Sequence, residues 1–427
     1  ENLRQEKIAE SKSMKVQFSK SKVLQKSKLT VSGSKSETNR LLLLQALFPE
    51  ISIENSSIAD DALVMNKVLS DFQLSTFNFQ TFDVHHAGTA MRFLTAFFAQ
   101  KEGCSIVLTG SQRMKERPIQ ILVDALIELD AEISYLENEG FPPLKIVGKR
   151  LLKNNVSLKA NVSSQYISAL LLIAPKLEHG LKLTLEGEMT SFPYIQMTLT
   201  LLNEMGIETT FDGNMISVKP KTYIKPTKFT IESDWSSASY FYSIVALSEV
   251  GTEMILSSFK ANSLQGDSVL ATIYQNFGVE TIFENNQILL RKTEICQLKT
   301  INLNLNNAPD IAQTMAVTCL GLGVACELKG LHTLKIKETD RLLALQNELT
   351  KLGGTVEITT HSLILSPKAN LKNSISIKTY QDHRMAMAFA PLALKTNLTI
   401  EDGTVVSKSF PDFWVQLKIL GFNFDFL

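Results

Sequence analysis

The chain has 427 residues, too many for one ordinary hydrophobic core, so two domains are expected. Lys plus Arg equals Asp plus Glu at 43 each, which excludes a general basic field for nucleic acid and leaves only local anion sites. The four cysteines form no CxxC pair, and no apolar run reaches the roughly 18 residues of a membrane span. We therefore expect a cytoplasmic protein with no metal, cofactor, nucleic-acid partner or membrane partner.

The N-terminal region contains a polar stretch and then a possible anion-binding loop. Residues 1–13 are predicted to be an extension ahead of Met14. Residues 33–40, "GSKSETNR", precede the apolar run "LLLLQAL". A Walker loop needs Gly five residues before its Lys, and Thr30 occupies that place before Lys35, so the spacing rejects a nucleotide loop. An anion site at the start of a helix remains.

Six amphipathic helical stretches each lead through a turn into an alternating strand. The stronger copies are "LLNEMGIETTF", "IYQNFGVETIF", "ELTKLGGTVEI" and "QLKILGFNFDF", and the weaker ones are "KVLSDFQLSTF" and "ALIELDAEISY". Gly after the last apolar residue is the usual left-handed helix stop. Equivalent positions recur every 57 to 76 residues and define six copies of one unit: Gln73, Asp130, Gly206, Gly278, Gly353 and Gly421.

Each unit also contains a short polar start followed by a helix that is apolar on nearly every side, which predicts a buried helix. The expected fold is α/β, with each unit running strand, buried helix, strand, surface helix, strand, and with three units per domain. Capping explains Ser, Thr or Asp at a helix start. It does not explain the basic residues at these starts, which favour anion binding: Lys35, Arg40, Arg92 and Arg384.

Three further basic stretches have an ordinary explanation when each is taken alone. "KIKETDRL" (335–342) is typical of the solvated first turn of a surface helix. "SQRMKERPIQ" (111–120) is typical of a mobile basic loop before a helix with Pro118 near its first turn. "SKSFPDF" places Lys408 before a Pro-started helix, where a lone lysine is usually solvated. Their combination is more specific than any one of them.

In the order and spacing of these motifs, the chain resembles the enolpyruvyl transferase family, within it the branch that uses shikimate 3-phosphate. The resemblance rests on "GSKSETNR", "AGTAMR", "ERPI", "SSQY", "KETDRL", "DHRMAM" and "KSFPDF", and it covers essentially the whole chain from about Met14. It implies a two-domain inside-out α/β barrel with three repeats per domain. It also implies one domain of residues 1–32 plus 234–427, an inserted domain of residues 33–233, and an active site in the cleft between them.

The resemblance further implies that a monomer transfers the carboxyvinyl group of phosphoenolpyruvate to the 5-hydroxyl of shikimate 3-phosphate. Around phosphoenolpyruvate, and around glyphosate in its place, it puts Lys35, Gly88, Arg117, Gln165, Arg341, Arg384 and Lys408. Around shikimate 3-phosphate it puts Lys35, Ser36, Arg40, Ser163, Ser164, Gln165, Ser191, Tyr194, Asp310, Thr333 and Lys337. Asp310 would deprotonate the hydroxyl, Glu338 would exchange a proton with the methylene carbon, and Lys35 would assist the leaving phosphate oxygen.

Two alternatives stay open at this point. The sister family moves the same group onto UDP-N-acetylglucosamine and carries a reactive Cys in the loop that matches residues 111–119. No Cys occurs in this stretch, which disfavours the sugar enzyme. The other alternative is a binding protein that keeps the fold without catalysis, and the presence of Lys35, Asp310 and Glu338 disfavours it.

Overall fold

The computed structural model describes residues 14–74, 79–160, 163–187, 189–367 and 370–427. The extension expected over residues 1–13 lies outside this part of the chain. The described residues form thirteen α-helices: α1 Lys35–Leu47, α2 Asp60–Leu74, α3 Gly88–Ala99, α4 Gln112–Lys115, α5 Gln120–Glu128, α6 Ser164–Ile173, α7 Phe192–Glu204, α8 Trp235–Leu247, α9 Leu270–Ile273, α10 Ala312–Leu322, α11 Arg341–Lys351, α12 His383–Phe389 and α13 Phe413–Ile419.

The same residues form short strands that alternate with these helices. In chain order they are β1 Val16–Phe18, β2 Lys26–Leu29, β3 Ile51–Glu54, β4 Phe79–Asp83, β5 Ser105–Thr109, β6 Glu132–Tyr135, β7 Leu144–Val147, β8 Asn155–Lys159, β9 Leu181–Glu186, β10 Thr209–Asp212, β11 Met215–Val218, β12 Thr227–Thr230, β13 Glu253–Ser257, β14 Val279–Glu284, β15 Gln287–Lys292, β16 Thr300–Asn304, β17 Ala325–Lys329, β18 Thr355–Ile358, β19 Ser362–Ser366, β20 Ile375–Ile377, β21 Leu398–Ile400 and β22 Phe424–Phe426.

The described strands assemble into six sheets, one for each predicted repeat. Five sheets have four strands, in the orders β20-β21-β1-β22, β10-β11-β9-β8, β14-β15-β13-β2, β16-β17-β19-β18 and β4-β5-β7-β6. Each contains one parallel pairing, such as β8 with β9, and two antiparallel pairings. The sixth sheet is the parallel pair β3 and β12. It belongs to the first repeat, of which the described residues form only this parallel pair.

The six predicted buried helices form two groups of three. Helices α1, α3 and α6 contact one another, and so do α8, α10 and α12. Every residue of α3 and of α8 except Ser236 is buried, as expected for a helix that is apolar on nearly every side. The two groups lie in two separate hydrophobic clusters, one formed by residues between 41 and 231 and one by residues 16–31 together with residues between 235 and 424.

The N-terminal strands β1 and β2 pair with strands from the C-terminal part of the chain. Strand β1 pairs with β21 and β22, and β2 pairs with β13. The chain passes between the two clusters twice, side by side, where Gly33 and Ser233 form an isolated bridge. A Cβ atom at Gly33 would lie 1.9 Å from the Asn55 carbonyl oxygen, so only glycine fits there. The predicted domain boundaries at 32/33 and 233/234 stay a prediction, which these pairings favour.

The predicted helix stops are left-handed at five of the six positions. Asp130, Gly206, Gly278, Gly353 and Gly421 have φ between 73° and 107°. The exception is Gln73, which still lies inside α2. The fourth surface helix also differs from the expectation of one continuous helix, because it consists of the short α9 flanked by 3₁₀ turns at Gly266–Val269 and Tyr274–Phe277.

Glu37 lies near the point where the chain passes twice between the two clusters, and its protonation makes the stability of the protein depend on pH. Burial raises its pKa from the ordinary value of 4.5 to about 7; Lys260 opposes this shift and Glu232 adds to it. Between these two values the folded chain keeps a proton that the unfolded chain releases, so stability falls as the pH rises from about 4.5 to 7. The 2.5-unit interval corresponds to a loss of about 3 kcal/mol that is complete above pH 7.

We expect Glu37→Gln to stabilise the protein by about 3 kcal/mol at pH 8, because the amide does not have to ionise in a buried place. At pH 5 the advantage should shrink to about 1 kcal/mol, since Glu37 is then largely protonated in the folded state. Urea unfolding of both proteins at the two pH values measures this. An equal difference at pH 5 and pH 8 would show that Glu37 does not titrate in this window.

Candidate active site

One cavity lies between the two halves, and the starts of all six central helices reach it. A helix N-terminus offers unpaired N–H groups and the positive end of the helix dipole, so six of them around one cavity favour anionic ligands. The helix starts contribute the following lining residues: Lys35, Ser36, Gly88, Thr89, Ser163, Ser164, Gln165, Asp234, Ser236, Pro309, Asp310, His383 and Arg384.

The cavity brings together sixteen of the seventeen residues that the sequence assigned to the site. They are Lys35, Ser36, Arg40, Gly88, Arg117, Ser163, Ser164, Gln165, Ser191, Tyr194, Asp310, Thr333, Lys337, Glu338, Arg341 and Arg384. The seventeenth, Lys408, is not among the lining residues. Its Nζ donates a hydrogen bond of 2.7 Å to the backbone carbonyl of Gln381. Its neighbour Ser409 does line the cavity.

Asp310 lies at the centre of the charged groups in the cavity. Its Oδ1 is 3.0 Å from Nη1 of Arg341 and 3.7 Å from Nζ of Lys337. Its Oδ2 is 3.2 Å from Nη2 of Arg384. The same oxygen accepts a 3.5 Å hydrogen bond from the hydroxyl of Tyr194, which comes from the other half of the protein. Both carboxylate oxygens are therefore occupied by donors.

Arg341 joins three carboxylates while it is almost fully buried, with 2% of its side chain exposed. Its Nε lies 2.6 Å from Oδ2 of Asp382, and its Nη2 lies 2.7 Å from Oε2 of Glu338. Its Nη1 holds Asp310, as described above. The suggestion that residues 335–342 form a solvated first turn is therefore wrong at Arg341, because the guanidinium points inward to the carboxylates. The helix cap is supplied instead by Asp340, which accepts from Leu342 and Leu343.

The neighbouring cationic side chains determine whether Asp310 and Glu338 are protonated. Burial alone would raise the pKa of Asp310, but Arg384, Lys337 and Arg341 hold it well below its ordinary value. Burial also opposes ionisation of Glu338, and Arg341 is again the leading group that lowers its pKa well below the usual range. Both carboxylates are therefore ionised, and neither accepts a proton readily while these cations face it.

Lys35 contacts two carboxylates that line the cavity, Asp61 and Asp234. Its Nζ is 3.5 Å from Oδ2 of Asp61. Its backbone N–H donates to Oδ2 of Asp234 at 3.3 Å, while Oδ1 of Asp234 caps α8 through the N–H of Ser237 at 2.7 Å. Asp234 thus ties the starts of α1 and α8 together. The Lys35 side chain stays in the cavity, with its amine available to a phosphate.

Arg40 is largely committed to the protein itself. Its Nε donates to Thr198, its Nη1 donates to the Ser36 carbonyl, and its Nη2 donates to Ser168 and to the Tyr194 carbonyl, at distances of 2.8 to 3.2 Å. Four of its five N–H groups are used in this way, which leaves one for a ligand. Arg40 therefore fixes the positions of Ser36 and Tyr194 at the cavity as much as it can bind a substrate.

The two halves touch on both sides of the cavity. At one side the hydroxyl of Ser407 donates to Oδ2 of Asp60 at 2.7 Å, and Nε2 of His86 lies 3.7 Å from the same oxygen. At the other side the N–H of Ser191 donates to the carbonyl of Asn306 at 3.2 Å. The Ser407–Asp60 and Ser191–Asn306 hydrogen bonds join the two halves and close the cleft at these two points, whereas His86 and Asp60 belong to the same half.

Seven polar residues of the cavity were given no site role from the sequence: Thr89, Tyr166, Ser409, Asp61, Asp234, Ser236 and His383. The last three stand at helix starts of the repeat, so the rule that found Lys35 and Arg384 could have found them. Asp61 lies in the surface helix α2 and carries no such signal. Burial lowers the pKa of His383 well below its ordinary value, so its imidazole is neutral.

The described residues also bear on the expected absence of a metal ion and of a membrane partner. No group of three or more His, Cys, Asp or Glu side chains in the described ranges could hold a metal ion. None of the helices formed by these residues is long and apolar enough to cross a membrane. The expectation of no metal and no cofactor stays a prediction.

The comparisons with known proteins agree over nearly the whole length. A family model described as EPSP synthase (3-phosphoshikimate 1-carboxyvinyltransferase) matches residues 20–417. A 3-phosphoshikimate 1-carboxyvinyltransferase of Bacteroides fragilis is 43% identical over 403 residues, which cover 93% of this chain and 96% of that protein. One of Vibrio atlanticus is 38% identical over 413 residues, covering 91% and 95%. A solved structure of EPSP synthase from Acinetobacter baumannii has a TM-score of 0.80 at 21% identity and covers 97% of this chain and 100% of its own.

The fold is that of the solved EPSP synthases, and the predicted two-domain inside-out α/β barrel is confirmed. More narrowly, the chain belongs to the EPSP synthase family. The resemblance that the sequence motifs indicated is thereby confirmed.

Proposed function

We propose that this enzyme transfers the carboxyvinyl group of phosphoenolpyruvate to the 5-hydroxyl of shikimate 3-phosphate and releases phosphate, a step in the synthesis of chorismate and the aromatic amino acids. The observation that carries the proposal is the convergence of seven cationic side chains on one cavity at six helix N-termini: Lys35, Arg40, Arg92, Arg117, Lys337, Arg341 and Arg384. Each substrate has one phosphate and one carboxylate. Arginine pairs with such groups through two parallel N–H bonds, and a helix start adds backbone donors.

The two substrates would share this cavity. Phosphoenolpyruvate would lie among Lys35, Gly88, Arg117, Gln165, Arg341, Arg384 and Lys408, the last after its amine leaves the Gln381 carbonyl. Shikimate 3-phosphate would lie against Lys35, Ser36, Arg40, Ser163, Ser164, Gln165, Ser191, Tyr194, Asp310, Thr333 and Lys337. The amide of Gln165, which belongs to both sets of residues, donates a hydrogen bond of 3.1 Å to the hydroxyl of Thr89 and is held in place by it.

In the reaction, the 5-hydroxyl oxygen bonds to the central carbon of phosphoenolpyruvate, and the hydroxyl proton passes to Asp310. Glu338 exchanges a proton with the methylene carbon. As the substrates draw Arg341 away from Glu338, its pKa rises, so the carboxyl takes up a proton, gives it to this carbon and later takes one back from the methyl group. Loss of a proton from the resulting methyl group and cleavage of the bond to phosphate restore the double bond in the product. Lys35 neutralises the charge that develops on the leaving phosphate oxygen. Groups positioned in this way typically contribute roughly 10²–10⁴-fold each.

The ion pairs explain how Asp310 becomes a base only when substrates are bound. In the structure its oxygens face Arg341, Lys337 and Arg384, which hold its pKa far too low for proton transfer. The phosphates and carboxylates of the substrates would compete for these cations. As the cations turn to the substrates, the pKa of Asp310 rises and the carboxylate is free to accept the hydroxyl proton.

The cleft between the two halves supports an enzyme that closes on its substrates, with the hinge at 32/33 and 233/234 and the halves acting as two domains. We propose that it acts as a monomer, as the family resemblance implies. A cytoplasmic location fits its four cysteines, each of which is a free thiol. The sugar-nucleotide alternative is not favoured, because residues 111–119 contain no Cys and the relatives found act on 3-phosphoshikimate by name.

The test is release of phosphate from phosphoenolpyruvate by the purified protein, with and without shikimate 3-phosphate. We expect release only with both substrates, and we expect Lys35→Met to abolish it while the protein stays folded by circular dichroism. Release that needs no acceptor, or no release under any condition, would refute the proposal.

Gly88→Ala should weaken the binding of phosphoenolpyruvate and of glyphosate. A Cβ at this position would lie 2.6 Å from Nη1 and 2.9 Å from Nη2 of Arg117, so the guanidinium must move away from the cavity. Overpacking of ~1–3 kcal/mol corresponds to roughly 5- to 150-fold weaker inhibition by glyphosate. The KM for phosphoenolpyruvate should rise by less, because the smaller substrate depends less on this wall.

Inhibition curves for both proteins, at matched saturation with phosphoenolpyruvate, measure the effect. The KM for shikimate 3-phosphate is the internal control and should be unchanged. A wild-type enzyme that ignores millimolar glyphosate would show that the wall beside Gly88 is shaped by other residues, such as His86 or Phe93.

A further inference from the structure

Arg113 crosses from the inserted half to the loop that carries two residues of the reaction. Its Nε donates to the backbone carbonyl of Glu338 at 3.2 Å, and its Nη2 donates to the carbonyl of Lys337 at 3.3 Å. These partners are 225 and 224 residues away in the chain. Its remaining nitrogen, Nη1, is held by Oε2 of Glu116 at 3.1 Å, so the guanidinium is fixed on both sides.

The segment that carries Arg113 is firmly attached to its own half. The short helix α4 is capped by Ser111, whose hydroxyl accepts from the N–H of Met114. The carbonyl of Pro118, at the other end of the segment, accepts from the hydroxyl of Tyr166 at 2.6 Å and from Nη2 of Arg92 at 3.2 Å. The same segment supplies Arg117 to the cavity. The mobile basic loop suggested by the sequence is therefore wrong for this segment.

The loop held by Arg113 is fixed at its ends but has little regular structure between them. It follows a 3₁₀ turn at His332–Ile336 and ends where Asp340 caps α11. Residues 337–339 between these points belong to no described helix or strand. The side chains of Lys337 and Glu338 leave this stretch toward the cavity, where they contact Asp310 and Arg341. Holding the two carbonyls on the outer side therefore sets the direction of both side chains.

We propose that Arg113 is a positioning residue that bridges the closed cleft and aims Lys337 and Glu338 at the bound substrates. The proposal rests on the proposed function above. The planar guanidinium has neighbouring N–H groups that reach two successive carbonyls at once, which a single lysine ammonium does not reproduce. The bridge forms only when the two halves meet, so it links closure to the completion of the catalytic arrangement. Misplacement of a reacting group by about 1 Å can cost on the order of 10²-fold.

The experiment compares Arg113→Gln and Arg113→Lys with Lys115→Gln. Lys115 is a matched control, because it lies on the same helix and has the same charge but pairs with Glu137 of its own half at 2.6 Å. We expect Arg113→Gln to lower kcat by ~10- to 100-fold, with Arg113→Lys in between and Lys115→Gln within about twofold of wild type. The KM for shikimate 3-phosphate should change less than threefold in Lys115→Gln. In the Arg113 variants it should rise by less than kcat falls, because Lys337 is only one of its contacts and Ser36, Ser163 and Gln165 do not depend on the bridge.

Thermal unfolding of each variant separates positioning from stability. A kcat loss in Arg113→Gln that occurs at unchanged Tm and exceeds any rise in the KM for shikimate 3-phosphate supports the proposal. Wild-type kcat in Arg113→Gln, an equal loss in Lys115→Gln, or a loss that follows a fall in Tm would overturn it. If wild type itself makes no product from the two substrates, the proposed function fails and this proposal falls with it. If the wild type turns over both substrates and Arg113→Gln has the same kcat, only this proposal is refuted and the proposed function stands.

Discussion

Asp310→Asn is expected to lower kcat by about 10²–10⁴-fold while shikimate 3-phosphate still binds. The amide has the shape of the carboxylate, so Arg341, Arg384 and Lys337 keep a neighbour, but it cannot take the proton of the 5-hydroxyl. Removing the carboxylate also removes a competitor for these three cations, so the dissociation constant for shikimate 3-phosphate should stay the same or fall. Steady-state kinetics and calorimetric titration with shikimate 3-phosphate measure the two effects separately.

Asp267→Asn is the matched control for Asp310→Asn. Asp267 is also a buried carboxyl of this charged region, but it accepts from the hydroxyl of Ser236 and is not among the cavity-lining residues. Burial and the nearby Asp310 raise the pKa of Asp267 to about 7, so this carboxyl is about half protonated near neutral pH. We expect kcat of this variant to stay within a few-fold of wild type. A kcat within about threefold of wild type in Asp310→Asn itself would remove Asp310 from the proton transfer.

Arg341→Gln should both abolish activity and destabilise the fold. The substitution leaves Asp310, Glu338 and Asp382 facing one another without their shared cation, and Asp382 is fully buried. Breaking a buried ion pair by removing one partner typically costs about 3–5 kcal/mol, because an uncompensated charge stays behind. Urea unfolding at pH 7.5 gives the stability, and the phosphate assay gives the activity.

Arg291→Gln serves as the control for the loss of an arginine that holds two carboxylates. Arg291 pairs with Glu253 at 2.8 Å and with Glu280 at 3.5 Å, but its side chain is 39% exposed. Exposed ion pairs typically contribute about 0–1 kcal/mol, so this variant should unfold close to wild type and keep full activity. If Arg341→Gln and Arg291→Gln lose the same free energy of unfolding, burial does not explain the contribution of Arg341 to stability.

The repeat architecture could be predicted from the sequence because its signals are local. A helix that is apolar all round and a glycine that ends a helix each leave a pattern within fifteen residues. The helix pattern recurs six times and the glycine four times. The structure confirms such helices at α3 and α8 and left-handed stops from Asp130 to Gly421. Gln73 fits the spacing but not the conformation, since spacing alone does not tell whether a helix has ended.

The composition of the cavity could be predicted only in part, because its contacts join distant parts of the chain. The motifs supplied sixteen of its residues. They did not indicate that four N–H groups of Arg40 donate hydrogen bonds to other parts of the protein. They also gave no sign of the contact between Ser407 and Asp60 or of the Arg113 bridge. Such pairs depend on how the two halves meet, and a basic residue in a loop looks the same in sequence whether it is solvated or crosses a cleft.

The most direct test of the account is phosphorus NMR of one reaction that contains phosphoenolpyruvate, shikimate 3-phosphate and UDP-N-acetylglucosamine together. We predict that the phosphoenolpyruvate signal converts into inorganic phosphate in step with the consumption of shikimate 3-phosphate. The signal of the ester phosphate in shikimate 3-phosphate should move to the chemical shift of the carboxyvinyl product, because this phosphate is not released. The signals of the UDP-sugar should stay unchanged. Consumption of the UDP-sugar, or phosphate release from shikimate 3-phosphate, would contradict the account.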